Sequence, residues 1–178
     1  YKDLANINAI PLAVDQVSPQ EIIKTIKNIS LSFAGIHLED IAAPRCFEIE
    51  NALSEELDIP VYHDDQEGSA IVVLAGLINA AKVVGKKLTD LRIVINGVGA
   101  SGLATARLLY AAGIKHLTLV DVHGVITSDD YRANDYQRLF AAKLGTPQSM
   151  ENQNIHDAIK GQDVFIELST GNVINRQD

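Results

Sequence analysis

The sequence has no tryptophan, a single methionine and a single cysteine, and aromatic side chains make up only 5% of its 178 residues. One cysteine, Cys46, excludes an intrachain disulfide, and a reducing cytoplasm is the compartment that this fits. No histidine and acid pair stands beside Cys46 in "APRCFEIE", so it reads as a buried structural thiol on a helix. Basic residues are also scarce: 15 Lys and Arg stand against 23 Asp and Glu, a formal net charge of -8. That balance argues against a nucleic-acid groove or an anionic-membrane patch as the main surface. An anionic substrate stays admissible, because a bound cation reverses the local field. Long apolar runs are missing too. "AIVVLAGLINAA" is too short and too mixed to span a bilayer, and no signal peptide is visible. The chain starts at Tyr1 without methionine, which sets the expectation of a partial chain.

What is present is enough to build a core. Hydrophobic residues make up 47% and charged ones 21%, the balance of a folded chain of one ordinary or two small domains. Apolar strand-like runs alternate with helical periodicity and no repeat intervenes. Strands are expected at 9–15, 33–40, 59–65, 91–97, 116–121 and 163–169. Helices are expected at 18–30, 44–57, 68–85, 100–113, near 131–143 and near 153–160. The first helix carries its own punctuation, with Ser18, Pro19 and Glu21 forming a capping box. The helix at 68–85 is apolar nearly all round and is expected to be buried on several sides. Alternation of this kind predicts an α/β fold, parallel sheets flanked by helices. The internal boundary falls near residue 66, dividing 1–66 from 67–178.

Three glycines then mark a nucleotide site. "RIVINGVGASGLATARLL" places Gly97, Gly99 and Gly102 in a G-x-G-x-x-G between a β-branched strand and an Ala/Leu-rich helix. The first glycine suits a tight turn, the second a close approach of backbone to a pyrophosphate, and the third close helix–strand packing. The backbone of Gly97, Val98, Gly99, Ala100, Ser101 and Gly102 would face the phosphates at the helix N-terminus. Asp121 ends the next strand, where a carboxylate accepts from an adenosine ribose. The alternative is a ligand-free turn, with Asp121 as a helix cap. A free carboxylate repels a 2′-phosphate, and neither 122 nor 123 is Arg or Lys, so NAD is favoured over NADP.

Two adjacent acid pairs raise a separate question. Glu39 and Asp40 end one strand-like run, Asp64 and Asp65 the next. Sequential parallel strands often end at one edge, and four carboxylates there would repel unless a divalent cation were bound. Mg²⁺ or Mn²⁺ prefers such oxygen ligands. Spacing alone leaves this reading open beside the simpler one, helix caps and solvated loop acids. His37, His63, His116, His123 and His156 show no metal-binding spacing. His63 is weighed as either lining the acid site or sitting in the core. Tyr131, Arg132 and Tyr136 read as ordinary helix residues.

"GIHLEDIAAPRCFEIE", "IPVYHDDQEGSAIVVLAGL" and "IVINGVGASGLATARLL" together resemble the bacterial malic enzymes, over nearly the whole chain. The resemblance implies oxidative decarboxylation of malate to pyruvate and CO₂ with NAD(P), and also decarboxylation of oxaloacetate. It implies that Glu39, Asp40 and Asp65 bind Mg²⁺ or Mn²⁺, and that Asp64 is an active-site acid near the substrate. It places Ser169 and Thr170 of "FIELST" beside the nicotinamide, and Gly97 to Gly102 with Asp121 at the dinucleotide. It implies a Rossmann-type domain at 67–178 behind the end of a catalytic and metal domain at 1–66, and a homo-oligomer, a dimer. The family's catalytic tyrosine and lysine have no counterpart here and are expected upstream of Tyr1. Its substrate-binding asparagines are expected beyond Asp178. Glu67 stands where members usually have His or Gln, Ser69 replaces a usual Thr, and "STGN" replaces a Ser-Ala-Pro-Gly-like loop. Two rivals stay open: a malolactic-type lyase that keeps its NAD bound, and a non-catalytic nucleotide- and metal-binding module.

Overall fold

The structure is a computed structural model that describes residues 1–151, 153–171 and 173. After a single helical turn α1 (Lys2–Ala5), the chain runs to α2 (Pro19–Ile29). The capping box starts α2: the Ser18 side chain accepts from the Glu21 backbone N–H, and the Glu21 carboxylate accepts from that of Ser18. A 3₁₀ turn leads into β1 (Ile36–Leu38), then α3 (Arg45–Glu56) and β2 (Val61–His63). The two short strands pair parallel, Ile36 opposite Val61 and Leu38 opposite His63. Ile22 and Ile26 of α2 pack with Leu38, Ile49 and Leu53 to close this part of the core.

Beyond β2 come a π-helical turn at Asp64–Gly68 and α4 (Ser69–Val83). The larger sheet follows, with β3 (Arg92–Asn96), α5 (Ala100–Ala111), β4 (His116–Asp121), β5 (Gly124–Val125), α6 (Asp135–Leu144), α7 (Ile155–Ala158) and β6 (Val164–Glu167). Its order is β5-β4-β3-β6. β3 pairs parallel with both β4 and β6, and β5 returns antiparallel beside β4. Ile93, Val94 and Ile95 are wholly buried, which β-branched residues covered on both sheet faces require. Strand order reverses at β3, so the loops after β3 and β6 flank a crevice, the usual ligand position in such sheets. Cys46 and Phe47 of α3 lie in the same cluster as Ile95, Leu103 and Leu109, so α3 serves both sheets. Burial pushes the Cys46 thiol up to about 11, in keeping with a structural thiol.

The α/β class holds, and several local expectations do not. The run at 9–15 forms no strand, and its residues are exposed. Among the described residues no strand offers it a ladder, and an unpaired extended segment gains no interstrand hydrogen bonds. The expected strands at 33–40 and 59–65 shrink to three residues each. α4 is buried on one side only: Ala70, Leu77 and Ala81 face inward, while Ile71, Val72 and Val83 lie open. Its apolar circumference needs more covering surface than these residues supply. The helix expected near 131 begins at Asp135 instead, because Asn134 takes a capping box with Gln137. Tyr131 and Arg132 therefore sit in the preceding turn. The helix near 153–160 shortens to Ile155–Ala158, and the β4–β5 hairpin was not expected. Among the described residues no helix is long and apolar enough to cross a membrane.

Candidate functional site

The register of β1 and β2 decides where the acids go. Leu38 stands opposite His63, so Glu39–Asp40 and Asp64–Asp65 leave the small sheet at one edge. Glu39, Asp40 and Asp65 each bring a carboxylate oxygen to within 4.8 Å of the other two. Asp40 has φ 55°, a left-handed backbone that aspartate tolerates better than most residues. Glu39 is hydrogen-bonded to His37 Nε2 at 2.6 Å, and His37 Nδ1 meets the Tyr1 hydroxyl. Three carboxylates this close repel one another in water. As a donor set they are all hard oxygens, which fits Mg²⁺ or Mn²⁺ and not a soft metal.

The π-helical turn separates the two neighbouring aspartates. Asp65 joins the cluster, while Asp64 turns to Tyr62, whose hydroxyl donates to Oδ1 at 2.7 Å. That bond, with some burial, pushes the Tyr62 phenol up to about 12. Single π-turns often mark functional positions, because the extra residue re-aims the side chains around it. Glu67 points away from the cluster. Its Oε2 accepts from the His63 backbone N–H at 2.9 Å, and its charge acts on Glu50. Burial first, then Glu67, pushes Glu50 up to about 7, while Gln66 donates to it at 2.6 Å. The half-buried Arg107 guanidinium is held below its ordinary value by burial. His63 proves to be a core residue, fully buried, with Nε2 3.6 Å from Asp65 Oδ2. That is too long for a hydrogen bond.

The glycine loop lies at the C-terminal edge of the larger sheet, and the π-turn packs against α5, the helix that the loop opens. Gly97 has φ +88°, and a side chain there would strike the backbone of Leu168 and Ser169 at 2.6 Å. A side chain on Gly102 would lie 1.8 Å from the Gly97 carbonyl oxygen. Among the described residues, a side chain on Gly99 would meet nothing within 4 Å, so its face is open. Gln137 of α6 donates to the buried Val98 carbonyl at 2.7 Å and pins the loop. Gly99 caps α5 without a side-chain bond, and the half-buried Ala100 and Ser101 open its first turn. Helix N-terminal N–H groups of this kind favour an anion. Asp121 ends β4, and Oδ1 accepts from the His123 backbone N–H at 2.8 Å, closing its own turn and not capping a helix.

The loop after β6 is exposed at Ser169 and Thr170. Asn96 donates to both Glu167 oxygens and to Ser169 Oγ, and Ser169 Oγ donates to Glu167 at 2.5 Å. Burial opposes ionisation of Glu167, yet the bonds from Ser169 and Asn96 outweigh it and hold the carboxyl below its usual value. Asn172, the last residue of "STGN", lies outside the described residues, as do positions 174–178. Sequence reasoning missed Tyr62, Asn96, Glu50 and Glu167. Tyr62 had a usable signal: on a strand, residues two apart share a face, so it stands on the side of Asp64. Glu50 had none, since a helix residue meets the π-turn only through packing.

Residues 66–171 match the family model described as malic enzyme, NAD binding domain. The chain is 46% identical over 178 residues to the NAD-dependent malic enzyme of Geobacillus stearothermophilus, covering 100% of this chain and 37% of that protein. It is 46% identical over 171 residues to the NADP-dependent malic enzyme of Halomonas elongata, covering 95% of this chain and 39% of that one. The solved NAD-dependent malic enzyme of Thermotoga maritima superposes with a TM-score of 0.91 at 38% identity, over 98% of this chain and 46% of its own. The chain thus spans less than half the length of these relatives.

Proposed function

The chain belongs to the malic enzyme family, and from that premise we propose that the complete protein oxidatively decarboxylates malate to pyruvate and CO₂ with NAD and a divalent cation. The observation that carries the reading is the approach of Glu39, Asp40 and Asp65 to within 4.8 Å, beside a turn that packs on the helix opened by the glycine loop. These three side chains would hold Mg²⁺ or Mn²⁺. When bound, the cation supplies Lewis-acid polarisation at the oxygen on malate C2.

The remaining work falls to the chain's own groups. The Gly97–Gly102 turn and the α5 N-terminus would receive the pyrophosphate, Gly99 presenting bare backbone on its open face. Asp121 would accept from the adenosine ribose, which favours NAD over NADP. Ser169 and Thr170 would border the nicotinamide, with Ser169 fixed by Glu167 and Asn96. Asp64, held by Tyr62, would be the acid nearest the substrate. The family's tyrosine and lysine have no counterpart in these residues. Loss of such proton-transfer groups costs on the order of 10²- to 10⁴-fold each, so the 178-residue piece alone is proposed to be inactive. The domain division at residue 66, a dimeric assembly and a cytoplasmic location belong to the same proposal, as does decarboxylation of oxaloacetate.

The test is product analysis with the complete protein, malate, NAD and Mn²⁺. Pyruvate and NADH in equal amounts support the reading. Lactate without net NADH would assign a malolactic-type lyase, and no turnover at all a non-catalytic binding module.

A further inference from the structure

His63 is the one histidine that the structure buries completely, and among the described residues neither ring nitrogen has a hydrogen-bond partner. Leaving such groups unpaired away from water is costly, so a core position ordinarily excludes them or satisfies them. The backbone does not allow the ring much choice. His63 is the last residue of β2, locked in register with Leu38, and its N–H is tied to Glu67 Oε2. This places Nε2 3.6 Å from Asp65 Oδ2, just beyond hydrogen-bond reach. Asp65 is the only member of the three-acid cluster that comes from this turn, and it is less exposed than Glu39 and Asp40.

We propose that His63 is a positioning residue for the cation site: its Nε2–H, 3.6 Å from Asp65 Oδ2, is the donor that this carboxylate takes up when the site is filled, fixing it beside Glu39 and Asp40. This rests on the cation site proposed above. One ring proton suffices, placed on Nε2, with Nδ1 left as an acceptor. Removal of a buried donor behind a ligand carboxylate typically weakens metal binding by about 10- to 100-fold.

The experiment uses the complete, metal-stripped protein and Mn²⁺ alone, with free Mn²⁺ followed by electron paramagnetic resonance and the metal-free melting temperature as a fold control. Wild type is expected to bind, and Asp65→Asn to lose binding. His63→Leu is expected to bind about 10- to 100-fold more weakly. His63→Gln, whose amide nitrogen has roughly the reach of Nε2, is expected to lose less than that. His63→Asn, whose amide stops near the reach of Nδ1, is expected to behave like His63→Leu. Loss in Asp65→Asn with wild-type affinity in His63→Leu overturns the role of His63 and leaves the cation site standing. Undiminished binding in Asp65→Asn overturns the site and the inference with it. Should the Leu variant melt early, equal affinities for the Gln and Asn variants overturn the inference.

Discussion

Gly68 and Asp64 face each other across the π-helical turn, and a methyl group on Gly68 would lie 2.4 Å from Asp64 Oδ1 and 2.7 Å from the Tyr62 hydroxyl. The glycine is what lets the Tyr62–Asp64 hydrogen bond form.

Gly68→Ala should therefore act on Asp64 more than on the fold. Gly68 has φ -60°, which alanine accepts, and a carboxylate is free to swing aside. Thermal stability should stay near wild type. In the complete protein, kcat/KM for malate should fall by about 10²-fold, the scale of a 1 Å misplacement. Steady-state kinetics beside a melting curve checks both halves.

Mn²⁺ should stabilise the complete protein through the three acids. At a concentration 100 times its Kd, a ligand of the native state adds about 2.7 kcal/mol. Glu39→Gln or Asp40→Asn should abolish most of that gain while leaving metal-free stability equal or higher, since each removes a repelling charge. Denaturant unfolding with and without Mn²⁺ reads the difference.

Two of the loop glycines should respond in opposite ways. Gly102→Ala places a carbon 1.8 Å from a backbone oxygen, an overpacking that typically costs about 1–3 kcal/mol, and it should destabilise the fold. Gly99→Ala meets nothing and should melt like wild type, yet weaken NADH binding by about tenfold or more, about 1.4 kcal/mol. Calorimetry and NADH fluorescence titration separate the two.

Asp121→Asn should narrow the proposed preference for NAD over NADP, since it removes the charge that would repel a 2′-phosphate while keeping an acceptor for the His123 N–H. A tenfold change in the ratio of kcat/KM values corresponds to about 1.4 kcal/mol. An unchanged ratio would place the ribose elsewhere.

Glu50 gives the fold a pH dependence of definite sign. Its carboxyl is raised from 4.5 to about 7, so between these values the folded chain holds a proton that the unfolded chain releases. Stability then falls as pH rises from about 4.5 to about 7 and levels off above, by linkage. The groups facing it are Glu67, which strengthens the effect, and Gln66 and Arg107, which oppose it. Glu50→Gln should flatten this part of the profile, measured by urea unfolding in the absence of metal.

The features legible beforehand are those set by neighbours in sequence. The Ser18–Glu21 capping box closes within one turn of chain. The glycine loop is readable because its strand, its turn and its helix lie in one uninterrupted stretch, and each glycine answers a local steric demand. The acid pairs were visible as pairs, and resemblance picked out Glu39, Asp40 and Asp65. The alternative of solvated loop acids could not be dismissed from spacing, because convergence depends on which strand pairs with which and in what register. For the same reason the sequence leaves His63 open between core and site, and it is a core residue that touches the site.

The amino-acid order by itself determined that strands and helices alternate, that one turn presents bare backbone at a helix N-terminus, and that acids follow two apolar runs. These follow from periodicity and backbone sterics over a few residues. Only the tertiary structure decided that Asp65 and not Asp64 joins the other two acids, that Glu67 turns inward, that α4 keeps an open apolar face, and that 9–15 finds no partner strand among the described residues. Each of those outcomes is set by contacts between residues far apart in the chain, where a one-residue change of register or an extra residue in a turn redirects every side chain beyond it.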